Sequence, residues 1–226
     1  MRRFMIMTLA AATALSTAAV AAPKIERVRG TIVRAEESQL TIRLDDGGTR
    51  TVSLGADTKY AAVVKASLDD VRDGTFIGTA TKDGDPRVAI EVVLFPEAMR
   101  GTGEGHYAWD EIEDPAGGGT RVRSAMTNGT VASHAGGAPR VRSTMTNGTV
   151  AGSAAADGRR TLTVTYGKDG SQTVVVPPSV PVVTFEPADP SIMKPGARAF
   201  VTAANEDGTL SARRVAVGRD GLRPPM

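Results

Sequence analysis

Along most of the chain single apolar residues alternate with single polar ones in short runs, and Gly- and Asp-rich turns separate the runs. A period of two puts alternate side chains on opposite faces of a strand, one face to be buried and one to meet water. Gly30-Thr31-Ile32-Val33, Leu40-Thr41-Ile42-Arg43-Leu44 and Thr51-Val52-Ser53-Leu54 read as three such strands, parted by turn formers such as Asp45-Asp46-Gly47-Gly48. Ser67 can then cap a short helical turn that Gly74 ends. Two more strands follow near 75–81 and 88–95, joined by Lys82-Asp83-Gly84-Asp85. Helical periodicity is weak throughout.

The same order returns downstream. Gly148-Thr149-Val150 matches Gly30-Thr31-Ile32, Leu162-Thr163-Val164 matches Leu40-Thr41-Ile42, and Thr173-Val174-Val175-Val176 matches Thr51-Val52-Ser53-Leu54. Pro190 to Gly196 matches the capped turn, and Glu206-Asp207-Gly208 leads into a last strand at 213–217. Five strands with a short helical turn between the third and fourth is the layout of the OB barrel, and closing a small barrel removes exposed sheet edges. The sequence therefore predicts an all-β protein of two five-stranded OB-like barrels in tandem, over 25–95 and 144–219. An irregular Gly-rich connector over 96–143 joins them, and a tail over 220–226 follows.

Within the connector one passage is written twice: Arg121 to Pro139 is followed at once by Arg140 to Gly158. RVRSAMTNGTVAS differs from RVRSTMTNGTVAG only at its fifth and last positions. Only the second copy lies at the expected distance before Leu162 to supply the first strand of the second barrel. The first copy is expected to remain in the connector or to compete for that place, which makes strand exchange through 121–158 available to a chain otherwise expected to be a monomer. Asn128-Gly129-Thr130 and Asn147-Gly148-Thr149 fit the glycosylation sequon, but Asn-Gly before a strand is an ordinary turn signal.

The recurrent pattern is G-T-I/V, then L-T-I/V, then a T-V strand. A turn such as Val71-Arg72-Asp73-Gly74 or Met193-Lys194-Pro195-Gly196 follows, and x-D-G-x precedes the last strand. In this it resembles the bacterial exported domain-of-unknown-function family numbered 5666, over roughly residues 25 to 95 and 144 to 219. The resemblance implies an OB-like barrel outside the cytoplasm and brings no activity or catalytic residue with it.

Ahead of these units Arg2-Arg3 precedes an apolar run from Phe4 to Val20 and the small residues Ala19-Val20-Ala21, the pattern of a secretory signal peptide over 1–21. The expected location is the periplasm or outside the cell. Without Arg2 and Arg3 the 27 Lys and Arg fall to 25, equal to the 25 Asp and Glu. No net field then draws the mature chain to nucleic acid or anionic lipid, and neither is an expected partner. No later segment approaches about 18 consecutive apolar residues, so no transmembrane span is expected in the mature protein. The lack of cysteine removes disulfides, thiol catalysis and thiolate metal sites.

Unusual residue types gather between Phe95 and Asp114, which holds the single Trp, one of three Tyr and one of two His. His106, Tyr107, Trp109 and Arg100 are the candidate ligand-binding residues of this stretch. Gly101, Gly103 and Gly105 after a strand suggest a phosphate loop, but neither a helix nor a Lys-Ser/Thr pair follows. His106 with Glu104, Met99, Glu97 or Asp110 could hold a divalent transition metal, imidazole and carboxylate suiting Zn or Cu(II) and thioether suiting Cu(I). One His among carboxylates falls short of the four ligands of a structural zinc site. In a third reading Tyr107 and Trp109 anchor the connector against a barrel.

No G-x-S-x-G elbow is present, and nothing sets a nucleophile beside a base, so no enzymatic activity is expected. Asp45-Asp46 and Asp69-Asp70 are read as solvated turn charges. The aromatics Tyr60, Phe76, Phe95, Tyr166, Phe185 and Phe200 are expected in cores rather than on a stacking platform. The basic cluster Arg121, Arg123, Arg140, Arg142, Arg159 and Arg160 is read as solvated linker. The expected function is an exported, non-enzymatic binding or envelope-associated module without a cofactor, its partner an envelope component; the alternative is a periplasmic metal-binding protein centred on His106.

Overall fold

The computed structural model describes residues 23–114, 117–136 and 158–225. The signal segment expected at 1–21, the second copy of the doubled passage over 140–157 and the strand expected at 148–150 lie outside the described residues. Among the described residues the regular elements are strands and short 3-10 turns, with no α-helix. The all-β class predicted from alternation is therefore what is found.

The first half of the chain forms β1 (Lys24–Ala35), β2 (Gln39–Leu44), β3 (Thr49–Ser53), β4 (Lys59–Lys65), β5 (Phe76–Lys82) and β6 (Arg87–Leu94). The connector forms β7 (Gly105–Ala108), β8 (Ile112–Glu113), β9 (Arg121–Val122) and β10 (Ala125–Gly136). The second half forms β11 (Arg160–Tyr166), β12 (Gly170–Val176), β13 (Val182–Pro187), β14 (Arg198–Glu206) and β15 (Thr209–Gly218).

Backbone pairing closes two rings of five strands. In ring A, β1 pairs with β2 and β2 with β3; β3 meets β15 in parallel through Ser53 and Ser211; β15 pairs with β14, which returns to β1. In ring B, β10 pairs with β11 and β11 with β12; β12 meets β6 in parallel; β6 pairs with β5, which returns to β10. Inward residues of each ring make one core: Val28, Ile32, Leu40, Ile42 and Val52 meet Val201, Leu210 and Val215 in ring A, and Ile77 and Val92 meet Val131, Leu162, Val164 and Val174 in ring B.

This departs from the expected division at 25–95 and 144–219, since among the described residues neither stretch closes on itself. Each ring takes three strands from one part of the sequence and two from another, so the two units are interleaved. The cause is β4 and β13, two strands the alternation did not predict. Tyr60 to Val64 and Val182 to Phe185 are nearly continuous apolar runs, the pattern of a strand covered on both faces. Instead of turning back at the end of its ring, the chain runs on through seven residues of β4, about 23 Å of extended backbone. That carries it from ring A into ring B, and β13 makes the reverse crossing. The two crossing strands pair antiparallel with each other, β4 lies parallel to β15 and β13 parallel to β6. Phe76, Phe95, Phe185, Val63 and Val183 form a third core between the rings, with Phe95 5.5 Å from Phe76 and 5.8 Å from Phe185 between ring centres.

The capped turns seal the rings. Ser67 Oγ accepts from Asp69 N–H and Asp70 Oδ2 accepts from Ser67 N–H, the reciprocal cap of a 3-10 turn at Leu68–Asp70. Val71 just after it enters the core of ring B. Its counterpart at Pro190–Ile192, capped by Asp189, sends Met193 into ring A.

Of the two places expected for the first copy of the doubled passage, it takes the one in the sheet: it supplies β10, the counterpart in ring B of β1, instead of remaining in the connector. Gly129-Thr130-Val131 stands where Gly30-Thr31-Ile32 stands in ring A, and both strands shift register just afterwards, between Val131 and Ser133 and between Ile32 and Arg34. Of the segment expected as a tail over 220–226, residues 220–225 are described and pack back: Pro224 and Pro225 are buried, and Arg223 pairs with Glu113.

Candidate functional site

After β6 a 3-10 turn at Glu97–Met99 and positive φ angles at Gly101, Gly103 and Gly105 double the chain back so that β7 lies antiparallel against β10. A strand follows these glycines, not a helix, and the amide N–H groups of Thr102 and Glu104 are taken by the carbonyls of Met99 and Gly101. The glycines therefore serve the turn.

The predicted residues of this stretch separate into distinct anchors. Arg100 forks onto Glu97 at 2.6 and 2.7 Å, donates to the Gly74 carbonyl at 2.9 Å and to Thr130 Oγ1 at 3.2 Å, and so pins the turn to ring B. Its hydrogen bond holds the Glu97 carboxyl below the usual carboxylate range. Glu104 Oε1 accepts from the Gly167 amide at 2.9 Å, and Met99 Sδ lies 3.8 Å from Arg214 Nη1. His106 Nδ1 is hydrogen-bonded to Thr127 Oγ1 at 2.8 Å, and its ring stacks on Tyr166 with centres 6.2 Å apart. Partial burial, then the charge of Arg87, holds the imidazole below its ordinary pKa against an opposing pull from Asp83. His106, Glu104, Met99 and Glu97 thus each have a separate protein partner. Among the described residues no three His, Cys, Asp or Glu side chains gather as a metal site.

Tyr107 and Trp109 lead from β7 toward ring A. The Tyr107 hydroxyl donates to the Gly103 carbonyl at 3.0 Å, and its ring lies 5.7 Å from that of Trp109. The guanidinium of Arg27, on β1, sits 3.9 Å from the centre of the Trp109 ring. Next in the chain, Asp110 accepts two hydrogen bonds from Arg27 at 3.1 Å and one from Arg29 Nη1 at 2.6 Å. Burial alone would raise the Asp110 carboxyl, but the hydrogen bonds and charges of the two arginines outweigh it and leave it below its ordinary value. Residues 105–110 form an arm paired to ring B at one end and clamped to ring A at the other.

Beside the arm lies a cleft of about 80 Å³ walled by Arg29, Arg121, Arg198 and Arg223 with Asp45, Glu91, Glu111 and Glu113. A wider hollow of about 260 Å³ adjoins it, shares Arg29, Arg121 and Asp45, and adds Arg27 and Arg50. Several of these charges are matched: Arg198 Nη2 lies 2.6 Å from Asp45, and Arg223 pairs with Glu113. Arg121 donates to the Glu111 carbonyl at 2.9 Å, and among the described residues no carboxylate pairs with it. Arg29 is pinned by Asp110 and by the Phe200 ring 4.8 Å away, while its buried Nε and Nη2 have no hydrogen-bond partner among the described residues.

No family model matches the chain, and neither does any curated protein or solved structure.

The sequence pointed to Arg100, His106, Tyr107 and Trp109 in this region, and to Asp110 only as a metal ligand, but not to Arg27, Arg29, Arg198 or Arg223. A signal existed for the first two. In Arg27-Val28-Arg29 the valine points into ring A, so the flanking arginines share the outer face of one strand. Arg121-Val122-Arg123 repeats the triplet across the cleft, and Arg121 belongs to its wall rather than to a solvated linker.

Proposed function

We propose that the protein is an exported, non-enzymatic binding module built of two barrels of the OB kind, with its ligand held on the polar face of ring A beside the arm. The order of strands around each ring and the capped turn before its last two strands support the OB reading. Barrels of that kind take ligands across the second and third strands and the loops between strands one and two and between strands four and five. In ring A that region contains Arg50 on β3 and the β14–β15 turn at Gly208, which border a hollow of about 430 Å³ that shares Glu26 and Arg50 with the 260 Å³ hollow. The observation that carries the reading is convergence: Arg29, Arg121, Arg198 and Arg223 come from four separate stretches of chain to wall one cleft. Export rests on the pattern of residues 1–21.

The absence of chemistry is argued from the imidazole. His106 bonds to Thr127, which is wholly buried, so the pair presents no nucleophile to a substrate. The test is capture of envelope components on the immobilised chain from residue 23 onward, compared with Arg50→Glu/Arg121→Glu. A component retained by the first and lost by the second supports the reading. No retention, or equal retention, removes it.

A further inference from the structure

Arg29 has one unusual property among the arginines of ring A. The guanidinium has two edges suited to a planar oxyanion, and Nε with Nη2 form the side-on one. In Arg27 that edge is taken by the Asp110 carboxylate. In Arg29 only Nη1 is taken, by the same Asp110, and among the described residues the buried side-on edge has no partner. Buried donors of this kind are rarely left unmatched, because a hydrogen bond to water is lost and none replaces it. The group is also held still, by Asp110 at one edge and Phe200 against its face. A fixed fork loses little freedom on binding, which is the condition for useful affinity from one group.

Resting on the binding-module reading above, we infer that Arg29 Nε and Nη2 form a receptor for one compact oxyanionic group of the ligand, a carboxylate or a phosphate, with Arg121 as the second cation. Both residues line the small cleft and the wider hollow beside it. The cleft, at about 80 Å³, takes a group of a few heavy atoms, and the hollow, at about 260 Å³, takes what that group is attached to. The sign of the surroundings narrows the class further. Asp45, Glu91, Glu111 and Glu113 line the same cleft and repel any second negative charge brought close. The ligand is one that carries an isolated anionic group, and a polyanion such as nucleic acid is disfavoured.

The test is a nitrogen-15 NMR titration of the chain from residue 23 onward with sodium acetate, and separately with sodium phosphate, at low salt. The Arg29 Nε–H signal is identified by its loss in Arg29→Lys. Expected is a saturable shift of that signal with a dissociation constant of about 1 mM or below for one of the two anions, which names the source of the oxyanion. Arg29→Lys should weaken binding about tenfold, since an ammonium cannot offer the fork. Arg121→Gln, at a residue whose hydrogen bond among the described residues goes to a backbone carbonyl, should weaken it severalfold without disturbing the fold. A signal that does not move, affinity unchanged in Arg121→Gln, or tighter binding of a single-stranded oligonucleotide than of either anion overturns the inference. Continued Arg50- and Arg121-dependent capture of an envelope component alongside an unmoving Arg29 signal would leave the module reading standing and remove the fork alone.

Discussion

Changing Gly30 to alanine is expected to open ring A, and the unfolding of that variant reports whether the two rings are one cooperative unit. A Cβ at Gly30 would lie 2.0 Å from the Arg43 carbonyl oxygen and 2.8 Å from Ile42 Cγ2, where ordinary contacts begin near 3.4 Å. β1 and β2 must therefore part by more than 1 Å at Gly30 and Leu44, beside the bulge after Ile32. Overpacking of this kind costs about 1–3 kcal/mol, and two disturbed ladder hydrogen bonds add about 1 kcal/mol each, giving a loss of about 3–5 kcal/mol. For a chain of this length that lowers the melting temperature by roughly 10 °C. Gly55→Ala, where an added Cβ meets nothing within 4 Å, is the control, expected within about 0.5 kcal/mol of the parent. The assay is differential scanning calorimetry with Trp109 fluorescence followed in parallel. Because each ring is completed by strands from the other half of the chain, one transition is expected, and Gly30→Ala should shift all of it. Two separable transitions with only one moved, or a shift as small as that of Gly55→Ala, would refute the reasoning.

Deleting 140–158 leaves every described strand in place and joins Gly136 to Arg160 through the four residues 137, 138, 139 and 159, a normal hairpin length; the melting temperature should stay within about 2 °C of the parent. Deleting 121–139 instead should give an equally stable fold, since Met145 to Val150 repeats the β10 residues Met126 to Val131, and aggregation of that variant would contradict it. Arg27→Ala removes the cation over Trp109 and two bonds to Asp110, and should lose about 1–2 kcal/mol in urea unfolding with a shifted Trp109 emission. The folded Asp110 pKa is depressed, so its contribution is fully present above the ordinary carboxylate range and is lost as pH falls through the folded value. Acid titration of Trp109 emission should show this step, and Asp110→Asn should abolish it. Calorimetric titration with Zn(II) or Cu(II) should give no heat that depends on His106, since His106, Glu104, Met99 and Glu97 are bonded to separate partners.

Strands of alternating pattern were legible in the sequence, and so were the caps, because each depends on residues a few positions apart: Ser67 with Asp70, or Leu40 with Ile42 on one face. β4 and β13 were missed because strands covered on both sides do not alternate, and a run such as Tyr60 to Val64 carries no sign of its neighbours. Inward-facing residues were readable while the sheet they join was not, since matching units present the same edges and either can complete either ring. The same degeneracy hid the role of the first duplicate: Met126-Thr127-Asn128-Gly129-Thr130-Val131 and Met145-Thr146-Asn147-Gly148-Thr149-Val150 are identical, and spacing to Leu162 does not fix which is used. At the site, Tyr107 and Trp109 announced an anchor by their residue type. Arg27 and Arg29 did not, because an outward arginine on a strand normally faces water, and the carboxylate that meets them is 83 and 81 positions away.

Lys24 lies beside Asn205, and β3 is bounded by Ser211. A ribosome makes the three opening strands of ring A before any strand of ring B and their two closing partners after all of them. Until synthesis has passed Val217, Val28, Ile32 and Leu40 have no lid, and the nascent polypeptide must keep this greasy surface from sticking to others. Contacts so distant in sequence also form slowly. A chain of this topology is consequently a natural client for holding chaperones, and a truncated product should be cleared rather than accumulate as half a molecule.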